Sequence, residues 1–326
     1  MRKVLSIHTR KTILILNIVV LSTILLSACA SPLPDNAITY QLKQTWGTKG
    51  KAQGEFNEPT GIALTPTEVF VSDARNRRVQ VFDYNGRFLR EFGNTGSKSA
   101  QLGRPMNLAI GDDKVFVADY FNDQIKIYTL EGNFIQAIGS AGDQPGQFNA
   151  PVGVDITDQG ELIVADFYNQ RIQQLKPDGS FIRQWGTTGK TGIWSGEFNY
   201  PTDVAISKAQ RLYVADGYND RVQVFDNSGK YSHKWGGLFG MNISGKKPGW
   251  FTTVTSIKVG ADNNIYVADF YNDRVQIFTP KGKLLNVIKV ESSGVQHSAI
   301  AVAVTADSHL FIVNHGKHEI QFWEKQ

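Results

Sequence analysis

One phrase recurs along this chain at nearly constant spacing. It reads Val69-Phe-Val-Ser-Asp73, Val115-Phe-Val-Ala-Asp119, Leu162-Ile-Val-Ala-Asp166, Leu212-Tyr-Val-Ala-Asp216 and Ile265-Tyr-Val-Ala-Asp269, with a worn copy, Leu310-Phe-Ile-Val-Asn314, at the end. The terminal Asp or Asn positions stand 46, 47, 50, 53 and 45 residues apart. A period of that length builds propeller blades rather than helical solenoids. The repeat therefore restricts the architecture before any chemistry is considered, and leaves the activity open, because one architecture hosts many functions.

Each repeat contains four short apolar runs bounded by turn residues. In the third copy they are Val152 to Ile156, Leu162 to Ala165, Arg171 to Leu175 and Phe181 to Trp185. Pro177-Asp178-Gly179 separates the last two, and Asn85-Gly86, Glu131-Gly132, Ser228-Gly229 and Lys281-Gly282 stand at the same place in other copies. Proline presets one turn dihedral and glycine accepts the left-handed one, so these are hairpin signals. Four antiparallel strands make a propeller blade, and the absence of any sustained 3.6-residue period predicts almost no helix. The sixth copy stops after its third strand, Glu319 to Trp323, while Tyr40-Gln-Leu-Lys-Gln-Thr-Trp46 matches a fourth strand that has no repeat before it. Joining the two completes a sixth blade and removes an exposed sheet edge. The expected fold is all-β, a six-bladed propeller over residues 40–326.

Ahead of it lies an address. Arg2, Lys3, Arg10 and Lys11 precede an apolar run from Thr12 to Leu26, too short for a typical membrane span and suited to a signal sequence. The run closes on Leu26-Ser27-Ala28-Cys29, which resembles the bacterial lipobox, so residues 1–28 are expected to be a lipoprotein signal peptide and Cys29 the lipidated residue, with 29–39 as a tether. Cys29 is the only cysteine, which rules out an intramolecular disulfide and a thiol-rich metal site. The resemblance implies a cell-envelope protein facing away from the cytoplasm, at the outer membrane if the organism has one.

The signal also carries the apparent basicity. The whole chain has 34 Lys and Arg against 30 Asp and Glu, and the four cations of residues 1–28 account for the difference. The remaining domain is neutral, without the electrostatic footprint of a phosphate binder, so no nucleic-acid partner is expected.

Gly146-Gln-Phe148-Asn-Ala-Pro151-Val-Gly153-Val, followed by Leu162 to Asp166, Phe-Tyr-Asn169-Gln-Arg171-Ile-Gln173, resembles the NHL repeat, and similar strings cover residues 40–326. The resemblance implies a six-bladed propeller of a family that includes RNA-binding and protein-binding modules, peptidyl-amidoglycolate lyases and bacterial surface lipoproteins. Related streptogramin lyases and lactonase-like propellers add an enzymatic alternative.

The most repeated polar residues are expected to be structural, because a catalytic group is seldom built five times. They are Asp73, Asn76 and Arg78; Asp119 and Asn122; Asp166, Asn169 and Arg171; Asp216, Asn219 and Arg221; and Asp269, Asn272 and Arg274. Asn suits the turn between second and third strands, where its side chain can bond backbone two residues on and it tolerates a left-handed conformation. Asp and Arg can pair. In the second copy Gln124 replaces the arginine; in the sixth, Asn314 and Glu319 replace Asp and Arg.

Candidate binding residues share a location instead of an identity. The second-to-third-strand turns and the connections between blades emerge on one face of the disc, and the turns carry Tyr120, Phe121, Phe167, Tyr168, Tyr218, Phe270 and Tyr271, with Arg75 and His315 in the first and last copies. The enlarged connections after Trp185 and Trp235 add Trp194 and Trp250. Such a rim suits a protein, peptide or glycan ligand. Catalysis has thinner support. There is no Gly-x-Ser-x-Gly string, and His315 and His318 could place two metal ligands on one turn but lack an evident third. The expected function is a membrane-tethered binding or scaffold propeller without a catalytic residue or resident cofactor; the alternatives are a lyase or lactonase-type hydrolase using Ca²⁺ or Zn²⁺ at the channel mouth, and a structural envelope subunit.

Overall fold

The computed structural model describes residues 38–238, 240–294 and 297–326. The signal segment and Cys29 lie outside them. Alternating apolar runs and glycine turns fold into six four-stranded antiparallel sheets. In blade 3 the strands are Pro151–Ile156, Leu162–Asp166, Arg171–Leu175 and Phe181–Trp185, within a residue of the bounds expected from sequence. Blades 1 to 5 span 59–92, 105–138, 151–185, 201–235 and 254–289. Among the described residues the only helical pieces are three-residue 3₁₀ turns, such as Gly217–Asn219.

Blade 6 is composite. Ala299–Val304, Leu310–Asn314 and Glu319–Lys325 supply its inner three strands, and Tyr40–Trp46 is the outermost, antiparallel to the last, with Tyr40 opposite Lys325 and Trp46 opposite Ile320. Both ends of the propeller are thereby held in one sheet.

The core lies between blades. Six apolar clusters occupy the six seams; Val224 and Phe251, for instance, meet Ile257 and Phe278 across the seam of blades 4 and 5. Because each strand alternates faces, one set of side chains packs against the preceding blade and the other against the following blade. The hairpin glycines fit the same seams. A Cβ on Gly86 would meet the Trp46 ring of blade 6 at 2.9 Å, and one on Gly282 the Trp235 ring of blade 4 at 2.7 Å. Both glycines have positive φ, so turn geometry and close approach call for the same residue.

Trp46 anchors the closing strand, with its ring about 6 Å from Phe82 of blade 1 and 5.9 Å from Phe311 of blade 6. Deleting Tyr40 to Trp46 should expose the edge of Glu319–Lys325 and break this contact, giving a lower melting temperature or aggregation. A thermal melt identical to that of the full chain would show that the ring closes without the strand.

Candidate functional site

The face carrying the second-to-third-strand turns is built on a repeated buried knot. In blade 4, Asp216 accepts from the Asn199 backbone N–H (2.8 Å), Asn219 Nδ2 (2.9 Å), Arg221 Nε (2.7 Å) and Gln223 Nε2 (3.0 Å). Arg221, fully buried, then donates to the carbonyls of Trp194 and Glu197 in the connection leading into its own blade. Blades 1, 3 and 5 repeat the pattern through Asp73, Asp166 and Asp269, with Asn76, Asn169 and Asn272, Arg78, Arg171 and Arg274, and Gln80, Gln173 and Gln276. Arginine thus ties a structureless connector to the blade it feeds.

Burial pushes the carboxyl groups of Asp73, Asp166, Asp216 and Asp269 above their ordinary range, to about 6 for Asp269, against the opposing effect of the arginine and amide donors. Each carboxylate is satisfied inside its knot, and the knot atoms left without a partner, Asn219 Oδ1 and Asn272 Oδ1, are buried.

Several sequence expectations need correction here. The repeated Asn does not bond backbone two residues on, and it is not the left-handed residue. Its Nδ2 bonds the Asp three positions earlier and a connector carbonyl, as Asn169 does with Asp166 and Gly142. The left-handed residue is the next one, Arg77, Asp123, Gln170, Asp220, Asp273 or His318. In blade 2 the cation missing at Gln124 comes from Lys126, buried 3.6 Å from Asp119, in the position of the knot glutamines. In blade 6, Asn314 Nδ2 meets Glu319 Oε1 at 3.3 Å.

The left-handed residues form a second device. Asp123, Gln170, Asp220 and Asp273 accept backbone N–H groups of Ala150, Tyr200, Thr253 and Ser298, at the entrance of the following blade. His318 does the same across the closing seam, its Nδ1 accepting from Glu58 N–H at 3.2 Å, while His315 Nδ1 donates to the Pro59 carbonyl. The two histidines are therefore seam elements. Among the described residues no group of three or more His, Cys, Asp or Glu converges to complete a metal site with them.

Blade 1 breaks the series, because Arg77 cannot accept. That seam is bridged by Glu58, which takes Arg75 Nε at 2.5 Å and Arg104 Nη2 at 3.2 Å. Burial would raise the Glu58 carboxyl, but the two guanidinium groups more than offset it and hold it below its ordinary value.

Inside this frame, at the mouth of the central channel, lies a pocket of about 330 Å³. Its base is formed by the second residue of every inner strand, Thr60, Met106, Val152, Thr202, Thr255 and Ile300. Tyr120, Phe167, Tyr168 and Tyr218 wall one side, and Arg104 stands against them. The aromatics pack on one another: Phe167 lies edge to face 5.1 Å from Tyr168 and tilted 4.8 Å from Tyr200, which is edge to face 5.0 Å from Tyr218. Tyr120 donates to the Tyr168 hydroxyl at 2.9 Å; burial, then that hydrogen bond, pushes its own hydroxyl up to about 12. Tyr120 therefore stays a neutral donor at physiological pH.

Of the expected rim, Phe121, Tyr168, Tyr218, Tyr271 and Trp194 are exposed, while Tyr120, Phe167 and Phe270 are half-buried. Phe270 and Tyr271 contact His297, and Phe270 also His315, outside the pocket lining. Trp194 likewise lies outside it. Trp250 is not on the rim: only 7% exposed, it packs beneath Lys247, and its carbonyl accepts from Arg274 and Gln276. Tyr200 and Arg104 were missed because they lie outside the second-to-third-strand turns, at the position just before the inner strand, where the residue type varies from blade to blade.

A family model for the NHL repeat matches residues 148–175, 198–225 and 251–278, which hold the end of the connector and the first three strands of blades 3, 4 and 5. The protein is a six-bladed β-propeller that carries NHL repeats. Single-repeat stretches are similar to Protein brain tumor of Drosophila melanogaster, 41% identical over 49 residues, and to RING finger protein nhl-1 of Caenorhabditis elegans, 46% over 52; these matches cover 15% and 16% of this chain and 5% of each relative. Among solved structures, this NHL propeller resembles a Bacteroides thetaiotaomicron protein of unknown function (TM-score 0.68, 13% identity, 89% of this chain and 76% of that one). It also resembles virginiamycin B lyase from Staphylococcus aureus (0.57, 12%, 87% and 99%) and the WD40 propeller domain of Doa1 (0.58, 11%, 88% and 98%). At these identities the likeness is one of fold.

Two predictions separate the two devices. Asp216→Ala strands the buried Arg221 and should cost about 3 to 5 kcal/mol in chemical denaturation; a loss below about 1 kcal/mol would mean that water takes over the carboxylate's role. At the closing seam, burial, then neighbouring His315, holds His318 below its ordinary 6.5. The unfolded chain therefore takes up the proton first, so this contribution is complete above about pH 6.5 and declines as pH falls toward the folded value. His318→Gln, which installs the acceptor used by Gln170, should flatten that acid limb in melts between pH 5 and 7; an unchanged limb would remove His318 from the account.

Proposed function

We propose that this propeller is an extracytoplasmic binding module, tethered through a lipid on Cys29, that captures a protein or peptide ligand on the face carrying the tyrosine crescent. The observation that supports it most is the pocket at the channel mouth, where aromatic side chains from blades 2, 3 and 4 are left partly open above a base of three threonines and three apolar side chains. Tyrosines supply large contact area at low entropy cost and keep hydroxyls for hydrogen bonds, as binding surfaces require. They are also absent from the knots and clips, so the fold does not need them there. Propellers of the NHL and WD40 kinds commonly mediate protein interactions, in line with this reading. The lyase alternative draws on fold likeness alone, and His315 and His318 are committed to blade 1 backbone.

A paired experiment tests the two halves of the proposal. Tyr168→Ala and Tyr218→Ala should leave the melting temperature within a few degrees of the parent and weaken capture of partners from solubilised envelope, by roughly 2 kcal/mol for a central anchor. Cys29→Ser should abolish incorporation of a labelled fatty acid. Unfolding of the tyrosine variants would assign the crescent to stability, and undiminished labelling of Cys29→Ser would reject the tether.

A further inference from the structure

We infer that the pocket recognises a free carboxyl terminus: the ligand is a peptide end whose terminal carboxylate sits on Arg104 and whose last side chain, apolar or aromatic, fills the pocket. This deepens the peptide-binding reading above and rests on it.

The inference starts from groups the fold leaves unpaired. Arg104 Nε is buried and has no acceptor, although Nη2 of the same guanidinium reaches Glu58. Thr255 Oγ1, at the pocket base, is also unpartnered, whereas its counterparts are used: Thr60 donates to the Pro105 carbonyl and Thr202 to that of Val254. A buried donor without an acceptor is costly, and one lining an open pocket asks for an acceptor from outside.

Charge selects which acceptor. Arg75 and Arg104 share the single carboxylate of Glu58, so at the seam of blades 1 and 2 two guanidinium groups are ion-paired to one anion. The guanidinium also lies 5.9 Å from the Tyr120 ring centre and 5.7 Å from that of Phe121, which holds its plane in place. A fixed, partly desolvated guanidinium with a free Nε–H matches a carboxylate better than a neutral carbonyl.

The pocket then orients the ligand. Beneath the base lie buried Asp203 and half-buried Asp155, with Lys258 3.9 Å from Asp203 as their nearby cation. Burial raises the Asp203 carboxyl, opposed first by Lys258 and last by Asn107, while Asn107 Nδ2 meets no acceptor in hydrogen-bond geometry. Burial raises both carboxyl groups above their ordinary range despite Lys258, and the one cation lining the pocket itself is Arg104 at the rim, where a ligand anion would sit. What enters must suit Met106, Val152, Ile300 and Phe167. A sugar would leave hydroxyls unpaired against those side chains, whereas a terminal residue presents its carboxylate on one side and an apolar group on the other. A volume of about 330 Å³, at the low end of ligand pockets, admits one such residue rather than a folded domain.

The test uses the full chain in detergent micelles and three calorimetric probes: N-acetyl-alanyl-phenylalanine as the free acid, the same compound as the amide, and galacturonic acid. The free acid should bind at least about tenfold more tightly than the amide, the usual worth of a charge-assisted hydrogen bond. Arg104→Gln should abolish the preference. Arg104→Lys, which keeps the charge that faces Glu58 but removes the Nε donor, should reduce it to roughly threefold or less with an unchanged melting temperature. Equal binding of acid and amide, tighter binding of galacturonic acid, or no heat from any probe would each overturn the inference. If it is overturned while Tyr168→Ala still loses partner capture, the binding face stands and only the carboxyl-end assignment falls.

Discussion

The fold depends on how an Asp and an Arg are buried together on each of four blades. A propeller must hold long irregular connectors against the tops of its blades, and a connector's carbonyls have no ladder to join. Arg78, Arg171, Arg221 and Arg274 solve this by donating to connector carbonyls through one side of the guanidinium while the other is neutralised by Asp. Burying the charge is expensive in itself, so the Asp, the Asn and the Gln come as a set that leaves few of its polar atoms unpaired. Blade 2 shows that the requirement is for a cation at that point and not for a sequence position, because Lys126 reaches Asp119 from two residues further on.

The binding face follows from that frame. Once connectors are tied down and the left-handed turn residues clip the next blade, the two turn positions ahead of the knot Asn take no part in knots or clips. In blades 2, 3 and 4 these free positions hold Tyr120 and Phe121, Phe167 and Tyr168, and Tyr218. Where the clip is missing, at Arg77, the seam is bridged by ions, and the bridge brings Arg104 to the pocket wall. The irregular seam is thus also the chemically distinctive part of the mouth.

Much of this was legible in the chain. Period, hairpin glycines and the orphan strand at Tyr40 to Trp46 specified six blades and their closure, because strand alternation and turn chemistry are local properties. The structural part of the polar set was legible for a different reason: repetition itself argues against catalysis. The turn chemistry was misread. Asn169 looked like a turn former acting on its own backbone, yet its bonds run to Asp166 and to Gly142, a connector partner 27 residues away.

Identity along the chain therefore determined the blade count, the seams and the ring closure, each of which needs only neighbours in sequence or in the repeat. Tertiary structure decided which aromatics face a ligand. Trp194 and Trp250 occupy matching enlarged connectors, but Trp250 packs under Lys247 and is withdrawn while Trp194 stands in solvent. It also decided that Thr60, Met106, Val152, Thr202, Thr255 and Ile300 share one pocket base. Those six residues lie on six different repeats with no common side chain, and only the closing of the ring brings them together.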